Sequence, residues 1–130
     1  MLLNCKNVYR FFSFYDIIIP VPMEKNKKYL RGYNQTELIT DILCEKLSIT
    51  NGKNYISKIK NTKVQSTLDY NGRKENIKNA FLVNNKNELY GKKVIIFDDI
   101  CTTGSTVNEI AKILKNAGVN NILVIVLAKD

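Results

Sequence analysis

Residues 94–106 read VIIFDDICTTGST, a segment in which a hydrophobic run passes directly into polar residues. The four apolar residues suit a buried strand, and two adjacent carboxylates, Asp98 and Asp99, follow them. A short loop of hydroxyl residues around one glycine comes next, and an amphipathic helix begins after it. A strand, a tight loop and a helix in this order predict an anion site, because the N–H groups at a helix start carry the positive end of its dipole.

The two acids predict a different kind of contact from that of the loop. Carboxylates repel a phosphate, but they accept hydrogen bonds from sugar hydroxyls. A site whose carboxylates accept hydrogen bonds from hydroxyl groups and whose backbone amides donate to a phosphate fits a ribose 5-phosphate. The alternative is an ordinary strand end with a helix N-cap, where Asp, Ser and Thr are common. A cap needs one such residue, whereas residues 98–106 contain two Asp, three Thr and one Ser, which favours the binding site.

This segment resembles the phosphoribosyl-pyrophosphate (PRPP) loop of the type I phosphoribosyltransferases in its apolar strand, its two acids and its TTG-x-T ending. The resemblance implies that Asp98 and Asp99 contact the 2′- and 3′-hydroxyls of the ribose. It also implies that the 5′-phosphate lies in the loop formed by Thr102, Thr103, Gly104, Ser105 and Thr106. In this family Mg²⁺ accompanies PRPP, and the resemblance implies that the ligand holds the ion without a dedicated protein cage.

The composition predicts one cytoplasmic domain. A chain of 130 residues buries a single core, so we expect one domain over residues 1–130, with residues 1–15 as a short extension at its edge. The longest apolar run, residues 122–128, is too short to cross a membrane, and the first residues lack the pattern of a secretion signal. Three widely spaced cysteines argue against disulfides and against a zinc site, and the absence of His excludes imidazole catalysis.

The net charge of +8 is unevenly distributed. Residues 1–93 hold 17 Lys and Arg against 8 Asp and Glu, a net charge of +9, whereas residues 94–130 hold 3 against 4, a net charge of −1. Such a charge attracts anions, including pyrophosphate and single-stranded DNA. The chain is also rich in Lys, Asn and Ile, whose codons are AT-rich, so codon bias is an equal explanation of the lysine content.

Hydrophobic patterns along the chain predict an α/β fold of three layers, in which helices flank a mostly parallel sheet. Strands are predicted at residues 16–22, 55–59, 79–83, 93–98 and 122–127, with a turn at Asn51-Gly52. One helix is predicted from about Asn34 to Leu47, with its apolar face formed by Leu38, Ile39, Ile42, Leu43 and Leu47. A second is predicted to bury Val107, Ile110, Ala111, Leu114 and Ala117 and to end at Gly118.

Two further segments are candidates for ligand binding. A basic loop follows the strand that ends in Pro22, at an edge where parallel sheets form their sites. In the type I family this loop binds the pyrophosphate, and the candidates are Lys28, Arg31 and Gly32, although surface lysines often only face solvent.

The polar segment 60–76 predicts a long loop. There the resemblance implies a flexible loop that closes over the substrate, with Gln65 and Arg73 as candidates; Arg73 can equally fix the loop to the body.

The ordered set of motifs is similar to that of the ComF family. The set comprises a PVP strand end at 20–22, RGYNQ at 31–35, Gln65, R-x-x-N at 73–76, an Ala-Phe strand and DD-x-x-TTG, and it covers about residues 16–129. ComF proteins are phosphoribosyltransferase-like and are associated with DNA uptake in natural competence. The resemblance implies PRPP or another phosphoribosyl ligand, with single-stranded DNA or the competence machinery as partner. Many members carry an N-terminal zinc ribbon, and this sequence begins after the position of that ribbon. Either this is a truncated member, or the ribbon is absent or encoded separately.

Two function classes follow from these motifs. An enzyme would be a Mg²⁺-dependent glycosyltransferase that displaces pyrophosphate from PRPP with a nitrogen acceptor such as a nucleobase. A binding protein would keep the ligand site without turnover, since a fold does not establish a reaction. The aromatic residues in 1–15 are too few for a base pocket, and we expect them to cover the edge of the core. No catalytic residue is assigned, and the sequence does not determine the oligomeric state.

Overall fold

The computed structural model describes residues 10–22, 35–59, 80–101 and 104–129. Its strands are β1 (Ile17–Pro20), β2 (Thr50–Asn51), β3 (Ile56–Lys58), β4 (Phe81–Val83), β5 (Lys93–Cys101) and β6 (Asn121–Lys129). Its helices are α1 (Gln35–Leu47), α2 (Lys86–Leu89) and α3 (Ser105–Asn116). The predicted alternation of strands and helices is confirmed, while β2 and the single turn of α2 were not predicted.

The main sheet has four strands in the order β2-β1-β5-β6, and all three pairs are parallel. The register of β1 on β5 runs from Ile17 opposite Val94 to Pro20 opposite Phe97. Strands β3 and β4 form a separate antiparallel pair. The predicted α/β fold with a mostly parallel sheet is therefore confirmed. Because β1 and β5 are adjacent and parallel, the chain leaves both of them at the same edge, which we call the carboxyl edge.

The sheet is covered on both faces, which makes the three predicted layers. On one face Val94 and Ile96 of β5 pack with Ile110 and Leu114 of α3, and all four side chains are fully buried. On the other face Ile95 packs in the cluster that α1 covers. Since successive strand residues point to opposite faces, a strand buried on both sides must be apolar throughout, as residues 94–97 are.

Helix α3 buries the predicted residues and ends as predicted. Val107, Ile110, Leu114 and Ala117 are buried, and Ala111 packs against them. Gly118 follows the helix with a φ of +91°. Its N–H donates to the Lys115 carbonyl at 3.0 Å, and the N–H of Val119 donates to the Leu114 carbonyl at 3.2 Å. This pair of bonds is a Schellman cap, which needs a left-handed residue at the glycine position.

The predicted apolar face of α1 was partly wrong. Leu38 and Ile42 are 48% and 54% exposed, whereas the buried positions are Thr36, Thr40 and Cys44. Ile39 and Leu43 lie at the border and pack against the cluster. The helix therefore turns a row of small side chains toward the sheet, and its larger apolar side chains flank that row.

Strand β5 continues beyond the predicted end at Asp98. It pairs with β6 up to Ile100 opposite Ala128 and Cys101 opposite Lys129. The reason is the partner strand: β6 was predicted over residues 122–127 but extends over Asn121–Lys129, so the ladder of hydrogen bonds continues past the two acids. The acids thus lie within the strand and not at its last residue.

The predicted turn at Asn51-Gly52 is instead the end of a strand. Asn51 lies opposite Ile18 in the sheet, and the N–H of Gly52 donates to the Ile18 carbonyl at 2.7 Å. A Cβ at Gly52 would lie 2.6 Å from side-chain carbons of both Ile17 and Ile19. The glycine is therefore required by packing against β1.

Candidate functional site

The candidate site lies at the carboxyl edge, where β1 and β5 end side by side. The N–H of Val21 donates to the Phe97 carbonyl at 2.9 Å, so the chain that leaves β1 runs beside the residue before Asp98. The basic loop after Pro22 and the acids of β5 therefore start from neighbouring points. The sequence predicted that both loops lie at the carboxyl ends of strands, and the structure adds that the two strands are neighbours.

Asp98 is a nearly buried carboxylate in an otherwise apolar strand. Its side chain is 9% exposed, and its Oδ1 accepts a hydrogen bond from the backbone N–H of Asp99 at 2.9 Å. Burying a charged group is costly unless hydrogen bonds compensate it, and this bond supplies part of that compensation. Strand alternation puts Asp98 on the face of Val94 and Ile96, the one that α3 covers.

Asp99 has a different environment from that of Asp98. It is half-buried, and strand alternation puts it on the opposite face of the sheet, which α1 covers. The sequence analysis assigned both acids to the ribose hydroxyls. In the structure one carboxylate is nearly buried and the other is more accessible, because β5 keeps its strand geometry through both positions.

Helix α3 follows β5 after three residues of the chain, and the last of these is a glycine. Gly104 is the N-cap, with a φ of 80° and a ψ of 1°, and its carbonyl accepts the N–H of Asn108 at 2.8 Å. A positive φ favours glycine, because other residues are strained there. Ser105 and Thr106 are the next two residues, both half-buried, and the first helical turn contains no acidic residue. The positive end of the helix dipole is therefore not opposed by a carboxylate in that turn.

Several predicted ligand residues lie outside the described residues. They are Thr102 and Thr103 in the phosphate loop, Lys28, Arg31 and Gly32 in the basic loop, and Gln65 and Arg73 in the long loop. Their roles stay predictions. Within the described ranges no group of three or more Cys, Asp or Glu side chains could hold a metal ion. None of the helices described is long and apolar enough to cross a bilayer.

Cys44 is buried on α1, and its Sγ lies 3.8 Å from the Thr50 carbonyl. Burial, with a smaller contribution from the charge of Asp41, raises the pKa of this thiol to about 11. A thiol that stays protonated at neutral pH is a poor nucleophile, so Cys44 has a packing role.

The opposite edge of the sheet, which we call the amino edge, contains a cleft that the sequence did not predict. The cleft has a volume of about 470 Å³ and is lined by Ile17, Thr50, Tyr55, Asn87, Glu88, Tyr90 and Lys92. The hydroxyl of Tyr55 donates to Oε2 of Glu88 at 2.6 Å, and this hydrogen bond raises the pKa of Tyr55. The available sequence signal was the run YGKK at residues 90–93, in which an aromatic residue and two cations precede a strand.

Comparison with known proteins agrees with this fold. Residues 23–130 match the model of the phosphoribosyl transferase domain, and the chain belongs to that family. Within it the chain is a ComF-type phosphoribosyltransferase-like protein, as the sequence motifs predicted. Competence protein F of Haemophilus influenzae is 43% identical over 115 residues, which are 88% of this chain and 50% of that protein.

A second relative is the DNA utilization protein YhgH of Escherichia coli (strain K12), which is 35% identical over 103 residues. That match covers 79% of this chain and 44% of YhgH. The chain thus spans about half the length of the curated relatives it matches.

Among solved structures, the allosteric regulatory enzyme of purine biosynthesis superposes with a TM-score of 0.53 at 20% identity. The superposition covers 94% of this chain and 25% of the enzyme. It supports the fold alone, since fold does not imply function.

Proposed function

We propose that the chain binds PRPP or another phosphoribosyl ligand at the carboxyl edge and acts in DNA uptake during natural competence. One observation carries the ligand proposal: a nearly buried carboxylate, Asp98, is followed within six residues by the glycine-capped start of α3. The phosphoribosyl transferase family supports the class of ligand. The names of the relatives, a competence protein and a DNA utilization protein, support the biological process.

The two halves of the site suit the two halves of the ligand. Asp98 and Asp99 accept hydrogen bonds from the ribose hydroxyls, and backbone N–H groups over residues 102–106 hold the 5′-phosphate. Lys28, Arg31 and Gly32 hold the pyrophosphate, because their loop departs from Pro22 beside the acids. Gln65 and Arg73 belong to the segment that closes over the ligand.

The residues present fit Mg²⁺ as a companion of the ligand. Carboxylates are hard oxygen donors of the kind that Mg²⁺ accepts, and the ion usually keeps phosphate oxygens among its ligands. Bound with PRPP, it would neutralise part of the pyrophosphate charge. Asp98 and Asp99 would hold the ribose hydroxyls.

A calorimetric titration with PRPP, with and without Mg²⁺, tests this proposal. We expect a measurable affinity that increases with Mg²⁺, and weaker binding of ribose 5-phosphate. Absence of binding for both ligands by the folded protein would refute it. Release of pyrophosphate with a panel of nucleobases would show that the chain is a transferase and not only a binding protein.

The same proposal includes a cytoplasmic partner, single-stranded DNA, for the basic part of the chain. Lys25, Lys27, Lys28 and Arg31 are the first candidates for phosphate contacts, followed by Lys58, Lys60 and Lys63. The logarithm of the affinity should then fall linearly with the logarithm of the salt concentration, by about 0.7 per phosphate contact. Neutralising the cluster at residues 25–31 should lower this slope, and PRPP should compete if the same loop holds pyrophosphate. Salt-independent binding would contradict this assignment.

A further inference from the structure

The aromatic residues near the start of the chain divide into two pairs. Residues 10–12 are helical, and the turn continues with hydrogen bonds from the N–H of Phe14 to the Phe11 carbonyl and from the N–H of Tyr15 to the Phe12 carbonyl. Phe12 and Tyr15 pack against the core, as the sequence predicted. Phe11 and Phe14 do not, since they are 47% and 51% exposed.

A cation lies beside one of the two exposed rings. The Nζ of Lys93 lies 4.3 Å from the centre of the Phe14 ring. Its neighbour Lys92 is exposed and lines the cleft at the amino edge together with Tyr90, which is 74% exposed. We call the exposed rings and the cations that precede or begin β1 and β5 the amino-edge surface, and its members are Arg10, Phe11, Phe14, Tyr90, Lys92 and Lys93.

The acids beside this surface already accept hydrogen bonds. Oδ2 of Asp16 accepts the backbone N–H of Lys93 at 2.9 Å, and Oε2 of Glu88 accepts the hydroxyl of Tyr55 at 2.6 Å. Among the described residues neither acid forms an ion pair with Lys92 or Lys93, so both ammonium groups can attract an anionic partner.

Exposed rings together with nearby cations suit single-stranded nucleic acid. Its bases stack on aromatic side chains while its phosphates pair with Lys and Arg. A duplex fits less well, because its base faces are already stacked on one another. We propose that the amino-edge surface binds single-stranded nucleic acid, with bases on Phe11, Phe14 and Tyr90. The inference rests on the proposed function, which gives nucleic acid as the partner, and it assigns the contact to a new place.

This surface is remote from the phosphoribosyl site. Lys93 and Asp98 are five residues apart on β5, a separation of about 17 Å at roughly 3.3 Å per residue. A strand of nucleic acid on the amino-edge surface therefore leaves the carboxyl edge open. PRPP should not compete with it, whereas PRPP should compete with DNA that is held by the basic loop after Pro22.

Fluorescence anisotropy with a labelled oligo-dT at low salt tests the inference, with oligo-rU and a duplex of equal length as further arms. We expect the double variant Phe11→Ala/Phe14→Ala to bind oligo-dT about tenfold or more weakly, given the energy of base stacking. The variant Phe11→Tyr/Phe14→Tyr, which keeps both rings, should bind as the parent protein does. Leu82→Ala is the matched control, because Leu82 is equally exposed but lies on β4. A preference for oligo-dT over oligo-rU would identify DNA as the nucleic acid that this surface binds.

Four results would overturn the inference: unchanged binding by the alanine double variant, an equal loss in Leu82→Ala, displacement of the oligonucleotide by PRPP, or equal binding of the duplex. Circular dichroism and thermal melting of each variant establish that it is folded. The variant Asp98→Asn/Asp99→Asn separates this inference from the proposed function. It should lose PRPP binding and keep oligonucleotide binding, so that each of the two activities can fail without the other.

Discussion

Replacing Gly104 with valine tests the phosphate loop through the backbone, without any change of charge. The φ of 80° at Gly104 is in the left-handed region, where an L-residue costs about 1–2 kcal/mol. Valine is branched at Cβ and is among the residues least suited to it. We expect the variant to lose about this much free energy of unfolding, or to shift the backbone so that φ becomes negative.

Either response should weaken the binding of a phosphate. In the proposed site the phosphate is held by backbone N–H groups, whose directions are fixed by the torsion angles at Gly104. Loss of one hydrogen bond to a charged group costs about 1.5–3 kcal/mol, which corresponds to an affinity lower by a factor of about 10 to 150. The affinity of Gly104→Val for PRPP should fall by at least this factor.

Gly91 provides the matched control. Its φ is +74°, nothing lies within 4 Å of a Cβ built on it, and it precedes β5 at the amino edge. Gly91→Val therefore introduces similar backbone strain away from the site. Urea denaturation should show comparable losses of stability in the two variants, and calorimetry should show lost PRPP binding only in Gly104→Val. Binding that is unchanged in Gly104→Val, or equally lost in Gly91→Val, would refute the reasoning.

Three further predictions concern single residues. Asp98→Asn should fold and bind PRPP about 10- to 150-fold more weakly by calorimetry, because a neutral acceptor replaces a charged one; unchanged affinity would argue against a ribose contact. Gly52→Ala should lose about 1–3 kcal/mol in urea denaturation, because its methyl group would overlap Ile17 and Ile19, and full stability would contradict that packing. The pKa of Cys44 is raised from 9.0 to about 11, so the stability that this thiol contributes should be complete below pH 9 and disappear as the pH rises to 11. Alkylation of the Cys44 thiol at pH 8, followed by mass spectrometry of the peptide that contains it, should be slower in the folded than in the unfolded chain. Equal rates would exclude the raised pKa.

Elements whose signal is local could be predicted from the sequence. The core of β5 is a continuous apolar run, and a strand of that kind fits a sheet covered on both faces. Helix α3 has a regular apolar face and a glycine at its C′ position, and both features act within a few residues of the chain. The family motifs then added the candidate ligand, which hydrophobic periodicity alone does not specify.

The contact face of α1 could not be predicted by the same reasoning. Hydrophobicity selects Leu38 and Ile42, yet these side chains are about half exposed. The sheet instead meets Thr36, Thr40 and Cys44, whose small side chains fit beneath a closely packed helix. The distance between a helix and a sheet depends on residues from several elements, so the residue pattern of one helix does not predict it.

The faces of the sheet to which the two acids belong also depend on a distant segment. Residues 98–99 were predicted at the end of a strand. Pairing with β6 extends the strand to Cys101, and Asp98 and Asp99 consequently belong to different faces. The pairing partner lies almost thirty residues further along the chain, so nothing near the acids in sequence predicts this difference.

The charges along β5 argue for two binding sites with different ligands. At its carboxyl end, a sugar phosphate can present its hydroxyls to the carboxylates and its phosphate to the start of α3. At its amino end, Lys93 and the exposed Phe14 offer charge and a stacking surface to a polymer. Because the two ends are about 17 Å apart on one rigid strand, both ligands can bind at once. A protein of DNA uptake built in this way could hold a phosphoribosyl ligand while DNA is bound, so occupancy of one site need not release the other.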